Sequence, residues 1–166
     1  MANVRFLELL AKEYPNLEAA TSEIINLTAI LSLPKGTEYF LSDLHGEHEA
    51  FIHMLKSASG TIKDKIDEYY GEILSEKERD DLAALVYNPE AEIKRRKVSE
   101  KDFDKWCKAV IYRLITICKS VSSKYTRSKV RRSLPKYSAY IMDELLHADD
   151  EENRIHYYQE IINSFI

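Results

Sequence analysis

The chain has 166 residues, of which 45% are hydrophobic and 31% charged; that suits one compact domain with a real core and a well-solvated surface. Glycine and proline number four each, which argues against a turn-rich β architecture and for many helices. No apolar run approaches the roughly 18 residues of a membrane span, and the N-terminus lacks the apolar core of a signal peptide, so no membrane partner and a cytoplasmic location are expected.

In chain order, Phe6, Leu9 and Leu10 recur at helical spacing between Val4 and Glu13. Pro15 breaks that segment, and Asn16 can cap a second helix reaching about Leu33, with Ile24, Ile25, Leu27 and Ile30 on its buried side. Leu33-Pro34-Lys35-Gly36 ends it. Thr37 to Leu41 then reads as a short strand, aromatic and apolar after a turn. Asp43-Leu44-His45-Gly46 follows as a loop, and Glu47 to Ser57 as a helix carrying Phe51, Met54 and Leu55.

Beyond Gly60 the pattern stays helical. Ser75-Glu76-Lys77-Glu78 forms a capping box ahead of Leu82 and Leu85. Pro89 opens a short helix through Lys97. Ser99 is the expected cap of a long helix with Phe103, Trp106, Val110, Leu114 and Ile117 on one face. Pro135 interrupts the chain, and two more helices follow around Ile141–Leu146 and Ile155–Phe165. The expected fold class is therefore mainly α-helical with one short β-strand, Thr37–Leu41. One strand alone leaves its backbone groups without partners, so it is expected either as a lone extended segment buried by helices or as a strand whose partners belong to sequence not present here.

Two features carry chemistry. The first is Asp43-Leu44-His45 at the end of the expected strand. A carboxylate and an imidazole two residues apart can converge on one divalent ion, in a combination that suits Mn, Fe or Zn better than Ca. Gly46 permits a tight turn, and the following helix N-terminus favours anions such as phosphate. The alternative for these residues is a cap and a loop histidine. The second feature is charge asymmetry. Residues 105–142 hold ten of the 24 basic residues and none of the 28 acidic ones. Arg127, Arg131 and Arg132 could clamp the phosphate of a substrate or effector. A solvated face is the plainer reading, and nucleic-acid binding through Lys119–Lys136 runs against the net charge of −4.

The string Phe40-Leu41-Ser42-Asp43-Leu44-His45-Gly46 resembles the first motif of the calcineurin-like metallophosphoesterases. The wider stretch Leu33 to Phe51 resembles the bacterial class III fructose-1,6-bisphosphatases, and Leu85-Val86-Tyr87-Asn88-Pro89 agrees with it. The resemblance implies the N-terminal part of an α/β metallophosphoesterase with a helical insertion. Residues 1–60 would then hold the first strand-loop-helix of the core, and 61–166 the insertion. It implies Asp43 and His45 as metal ligands, usually of Mn. One helical step on, His48 and Glu49 could reach substrate or a carboxylate behind the ligands, with a surface position on the helix the plainer reading. It implies hydrolysis of the 1-phosphate of fructose 1,6-bisphosphate in gluconeogenesis by two-metal activation of water. The family's later motifs, Gly-Asp-x-x-Asp-Arg-Gly and Gly-Asn-His, do not occur here, so this chain alone is expected to be inactive. The competing reading is a helical oligomerisation or regulatory module that associates with itself.

Cys107 and Cys118 would lie about 16 Å apart along one helix, too far for a disulfide. They are expected as small buried hydrophobes.

Overall fold

A computed structural model describes residues 3–36, 38–42, 45–57, 60–99, 102–148 and 154–166. Among these residues there are ten α-helices and no strand. They are α1 (Val4–Glu13), α2 (Leu17–Leu31), α3 (His48–Ser57), α4 (Thr61–Tyr70), α5 (Glu76–Tyr87), α6 (Pro89–Ser99), α7 (Phe103–Ser122), α8 (Arg127–Ser133), α9 (Ala139–Leu146) and α10 (Ile155–Ser164). None of them is long and apolar enough to cross a membrane.

The core forms where α4, α5 and α7 meet. Ile66 is fully buried among Leu82, Ala83, Leu85, Val110 and Ile117. Trp106 and Leu114 of α7 pack on its margin, so the spacing at three and four along α7 describes the buried face. Leu145 of α9 and Ile162 of α10 extend the buried set, and α9 and α10 both pack on α7. Helix α3 lies against α4 and α5.

Local chemistry fixes the ends of these helices. The Ser75 hydroxyl accepts from the Glu78 N–H while the Glu78 carboxylate accepts from the Ser75 N–H, the reciprocal capping box. The Asn16 side chain accepts from the Ala19 N–H at 2.8 Å. The cap of α7 is Asp102, whose carboxylate accepts from the Lys105 N–H at 3.1 Å. Ser99, the expected cap, instead ends α6; both residues are capping types, and the break falls three residues later. The α4–α5 turn is clamped by Arg79. Its guanidinium donates to Asp67 at 2.5 Å and to the Leu74 carbonyl at 2.6 Å. Lys63 adds a third cationic contact at 2.7 Å, and hydrogen bonds from Lys63 and Arg79 hold the Asp67 carboxyl below its ordinary range.

Three expectations are corrected. The strand expected over Thr37–Leu41 is absent. Thr37 lies outside the described residues, and residues 38–42 run as unpaired chain. A strand needs a neighbour to receive its backbone donors and acceptors, and no described segment lies alongside to do so. For the same reason there is no sheet among the described residues. Among the described residues every regular element is a helix, and the α/β layer implied by the resemblance is not found there. Finally, the apolar stripe of α2 is not buried: Ile24, Ile25, Leu27 and Ile30 are all exposed. Neither α1 nor α2 contributes a buried residue.

Both cysteines are free and sit on α7, Cys107 half-buried and Cys118 exposed at its surface. Burial pushes both thiols above their ordinary pKa, for Cys118 because it faces an apolar groove between α7 and α8. Neither is set up as a nucleophile.

Truncating Ile66 to Ala should cost about 2–5 kcal/mol, because it empties the centre of the core. Ser75→Ala should cost about 1 kcal/mol through the lost cap. Urea denaturation measures both; equal losses would contradict the placement of Ile66.

Candidate functional site

The motif segment approaches α3 from exposed chain at residues 38–42. Phe40 is 90% exposed, and Tyr39 hydrogen-bonds through its hydroxyl to that of Thr61 at the start of α4. Just upstream, Gly36 lies against Tyr125; a Cβ there would meet the phenol oxygen at 3.1 Å. These two contacts tie the segment to the helical core.

Asp43 lies outside the described residues. His45 is exposed at the turn into α3, with φ 44°, and Gly46 follows with φ 76°. Two successive left-handed residues reverse the chain sharply. For a histidine that conformation costs roughly 1–2 kcal/mol, and strain of this kind clusters at functional sites. Past the turn, the His48 N–H donates to the Gly46 carbonyl at 2.8 Å, and the Phe51 N–H to the Glu47 carbonyl at 3.0 Å. Glu49 sits in the first turn of α3, where the helix dipole favours negative charge.

His48 and Glu49 line an open cleft of about 570 Å³ together with His53, Lys56, Tyr87 and Asn88. The His53 ring meets Tyr87 edge-on, with centroids 5.8 Å apart. The cleft offers imidazole, carboxylate and ammonium groups to a polar ligand. Among the described residues no three His, Cys, Asp or Glu side chains gather as a metal site. The imidazole of His45 suits a borderline divalent ion as a donor, but the described residues do not complete a coordination sphere.

The basic stretch is resolved into separate roles. Arg127 donates from Nη2 and Nε to Asp143 Oδ2, at 3.0 and 3.3 Å. Asp143 is only 4% exposed. The Arg127 guanidinium holds its carboxyl below the usual carboxylate range, against the opposing effect of burial. His147 Nδ1 lies 2.9 Å from the Asp143 carbonyl and 3.2 Å from Oδ1. Both are acceptors only, so this nitrogen carries the proton. Lys119 donates to the Ala148 carbonyl. The C-termini of α7 and α9 meet here, where Lys119 in the last turn of α7 reaches a carbonyl just beyond α9.

Lys119, Arg127 and His147 line a cleft of about 280 Å³, and the Lys119 and Arg127 cations are already engaged by internal partners. Lys129 covers the Tyr125 ring at 4.6 Å. Arg131 and Arg132 are exposed in the last turn of α8. The three arginines thus do not converge as one fork: Arg127 faces Asp143 and the other two face solvent.

Sequence reasoning grouped His147 with Asp149, Asp150 and His156, of which Asp149 and Asp150 lie outside the described residues, and did not join Lys119, Asp143 and His147 in one cluster. One signal was present. Asp143 shares a helix face with Ala139, Met142 and Leu146, and an acid in an apolar stripe calls for a buried partner.

The Asp143–Arg127 pair makes a pH-dependent prediction. A carboxyl lowered in the folded state adds stability above its unfolded pKa of about 4, and that stability fades as pH falls through the lowered folded value. Arg127→Met should destabilise the chain at pH 7 by leaving a buried carboxylate unpaired. The gap from the parent should narrow from pH 7 to about pH 3, as Asp143 protonates in the variant before it does so in the parent, where its pKa is lowered. Urea denaturation at the two pH values tests this; an unchanged gap would refute it.

A family model described as Firmicute fructose-1,6-bisphosphatase matches residues 5–166. The chain is 53% identical over 165 residues to a protein named fructose-1,6-bisphosphatase class 3 from Clostridium tetani (strain Massachusetts / E88), covering 99% of this chain and 25% of that one. It is 54% identical over the same length, with the same coverage, to the protein of that name from Clostridium botulinum (strain Hall / ATCC 3502 / NCTC 13319 / Type A). The chain therefore spans about a quarter of the length of the curated relatives it matches. No solved structure matches it.

Proposed function

Because the chain belongs to the Firmicute fructose-1,6-bisphosphatase family, we propose that it serves as the N-terminal part of an enzyme that hydrolyses fructose 1,6-bisphosphate to fructose 6-phosphate and phosphate. The observation that carries this reading is the identity of 53% and 54%, spread over 165 residues, to proteins bearing that name. The place of such an enzyme is gluconeogenesis, in the cytoplasm.

The reading gives the motif turn a task. Asp43 and His45 are the proposed donors to a divalent metal, with Mn the favoured ion. When bound, such a metal polarises phosphate oxygens and lowers the pKa of a coordinated water. The chain's own residues would hold and orient around it. The left-handed pair His45–Gly46 fixes where the imidazole leaves the backbone. The N-terminal turn of α3 directs backbone N–H groups toward an anion in the same region. His48 and Glu49, on that turn, are the proposed contacts to substrate or to the ligands. The remaining donors would come from sequence outside these 166 residues. Arg131 and Arg132 stay proposed as phosphate contacts, because they are exposed; Arg127 would first have to leave Asp143.

The test is a chimera in which this chain replaces the matched 165 residues of the Clostridium tetani relative. Phosphate release from fructose 1,6-bisphosphate with Mn present should match the natural enzyme, and the 166-residue chain alone should give none. Asp43→Asn or His45→Ala in the chimera should lower turnover by on the order of 10²-fold or more, as loss of a metal ligand does. Undiminished turnover in Asp43→Asn would overturn the assignment.

A further inference from the structure

The apolar groove between α7 and α8 holds about 480 Å³ and has Ile117, Val121 and Leu134 among its walls. That volume alone falls in the range of small-molecule sites, about 300–1,000 Å³. The cleft of Lys119, Arg127 and His147 lies against it: Ser122, Tyr125, Val130 and Leu146 line both. An apolar chamber therefore stands beside a charged mouth.

The cations at this mouth are engaged without being exhausted. The Lys119 ammonium has three N–H donors and gives one to the Ala148 carbonyl. Arg127 meets Asp143 through Nε and Nη2, and among the described residues no hydrogen bond takes its Nη1. Asp143 is buried behind Arg127 and holds the guanidinium in place, which lowers the ordering cost of a second contact. No carboxylate is among the described residues lining either cavity. Lys129 adds positive charge on the groove wall, over the Tyr125 ring that both cavities share.

These features select the ligand. A purely apolar molecule would leave the N–H groups of the mouth unused. A small anion would leave the groove to water, and a sugar phosphate or nucleotide, polar along its length, would lose hydration there without gaining partners. A molecule with an anionic head and an apolar tail satisfies both parts. We infer that the adjoining cavities are a binding site for a free fatty carboxylate, its alkyl chain in the groove between α7 and α8 and its head among Lys119, Arg127 and His147. The inference is independent of the activity proposed above.

Equilibrium dialysis of the 166-residue chain against hexanoate, octanoate and decanoate tests it. One molecule should bind per chain, with affinity rising about three- to four-fold for each added methylene, the factor expected of one buried CH2. Decanol, which lacks the charged head, should bind at least about ten-fold more weakly than decanoate. Lys119→Met should remove about ten-fold from decanoate affinity and leave decanol unchanged. Cys118, on the groove wall, supplies a local readout. In Cys107→Ser, where Cys118 is the remaining thiol, decanoate at about ten times its Kd should slow alkylation by iodoacetamide about ten-fold, as mass action requires. Cys118→Trp should fill the groove and abolish binding, with helical content unchanged by circular dichroism; Lys119→Met decides the matter if that variant does not fold. Equal affinity for decanol and decanoate overturns the inference, because the mouth then contributes nothing. Binding that leaves Cys118 alkylation unaffected lies elsewhere on the surface and overturns it too. Binding that weakens as the protein concentration rises gives the groove to a second copy, and binding lost in the folded chimera gives it to the remainder of the longer polypeptide; either result overturns it.

Discussion

Ile66 has no solvent exposure, and the helices that enclose it are the ones whose positions the rest of the chain inherits. Its neighbours come from α5 and α7, far apart in sequence, so its burial closes the α4–α5 turn and brings α7 across both. Tyr70 reinforces the arrangement by donating its hydroxyl to the Arg113 carbonyl at 3.3 Å, joining α4 to α7. Once α7 is fixed, α9 and α10 have a surface to pack on, and α3 is held over α4 and α5. The motif turn leads into α3, and the Tyr39 and Gly36 contacts tie the segment before it to the helical core.

That hierarchy explains what could be read from the residues. Local rules were sufficient for spans and caps: the face of Trp106, Val110 and Leu114 on α7, the Ser75 box and the span of α1 all follow from them. Asn16 caps α2 as its residue type dictates. Burial could not be read in the same way. The stripe of α2 is as apolar as that of α7, but periodicity reports which side of a helix is greasy, not whether anything covers it. The strand over Thr37–Leu41 fails on the same ground. β-branched and aromatic residues favour a pleated ribbon, yet a strand exists only with a neighbour.

The site was legible as chemistry and less so as geometry. Asp43 and His45 are donors by type; the left-handed backbone of His45 was not foreseeable, since only Gly46 advertises that region of φ. The basic stretch shows the converse. Ten cations without an acid look like an anion-binding face, but Asp143 lies one residue beyond the stretch and engages Arg127, while a carbonyl at the end of α9 takes Lys119. Helix termini absorb positive charge that a linear count treats as available.

The placement of the one tryptophan has a spectroscopic consequence. Trp106 is stacked on Phe103 at 5.6 Å and lies under the Arg96 guanidinium, on the margin of the core. Its emission therefore reports on α6 and α7 and is blind to α1 and α2, whereas far-ultraviolet dichroism counts every helical turn alike. A titration read by the two signals should give two different curves, with ellipticity falling before fluorescence. The separation between them would measure how independently the uncovered N-terminal helices melt from the packed remainder.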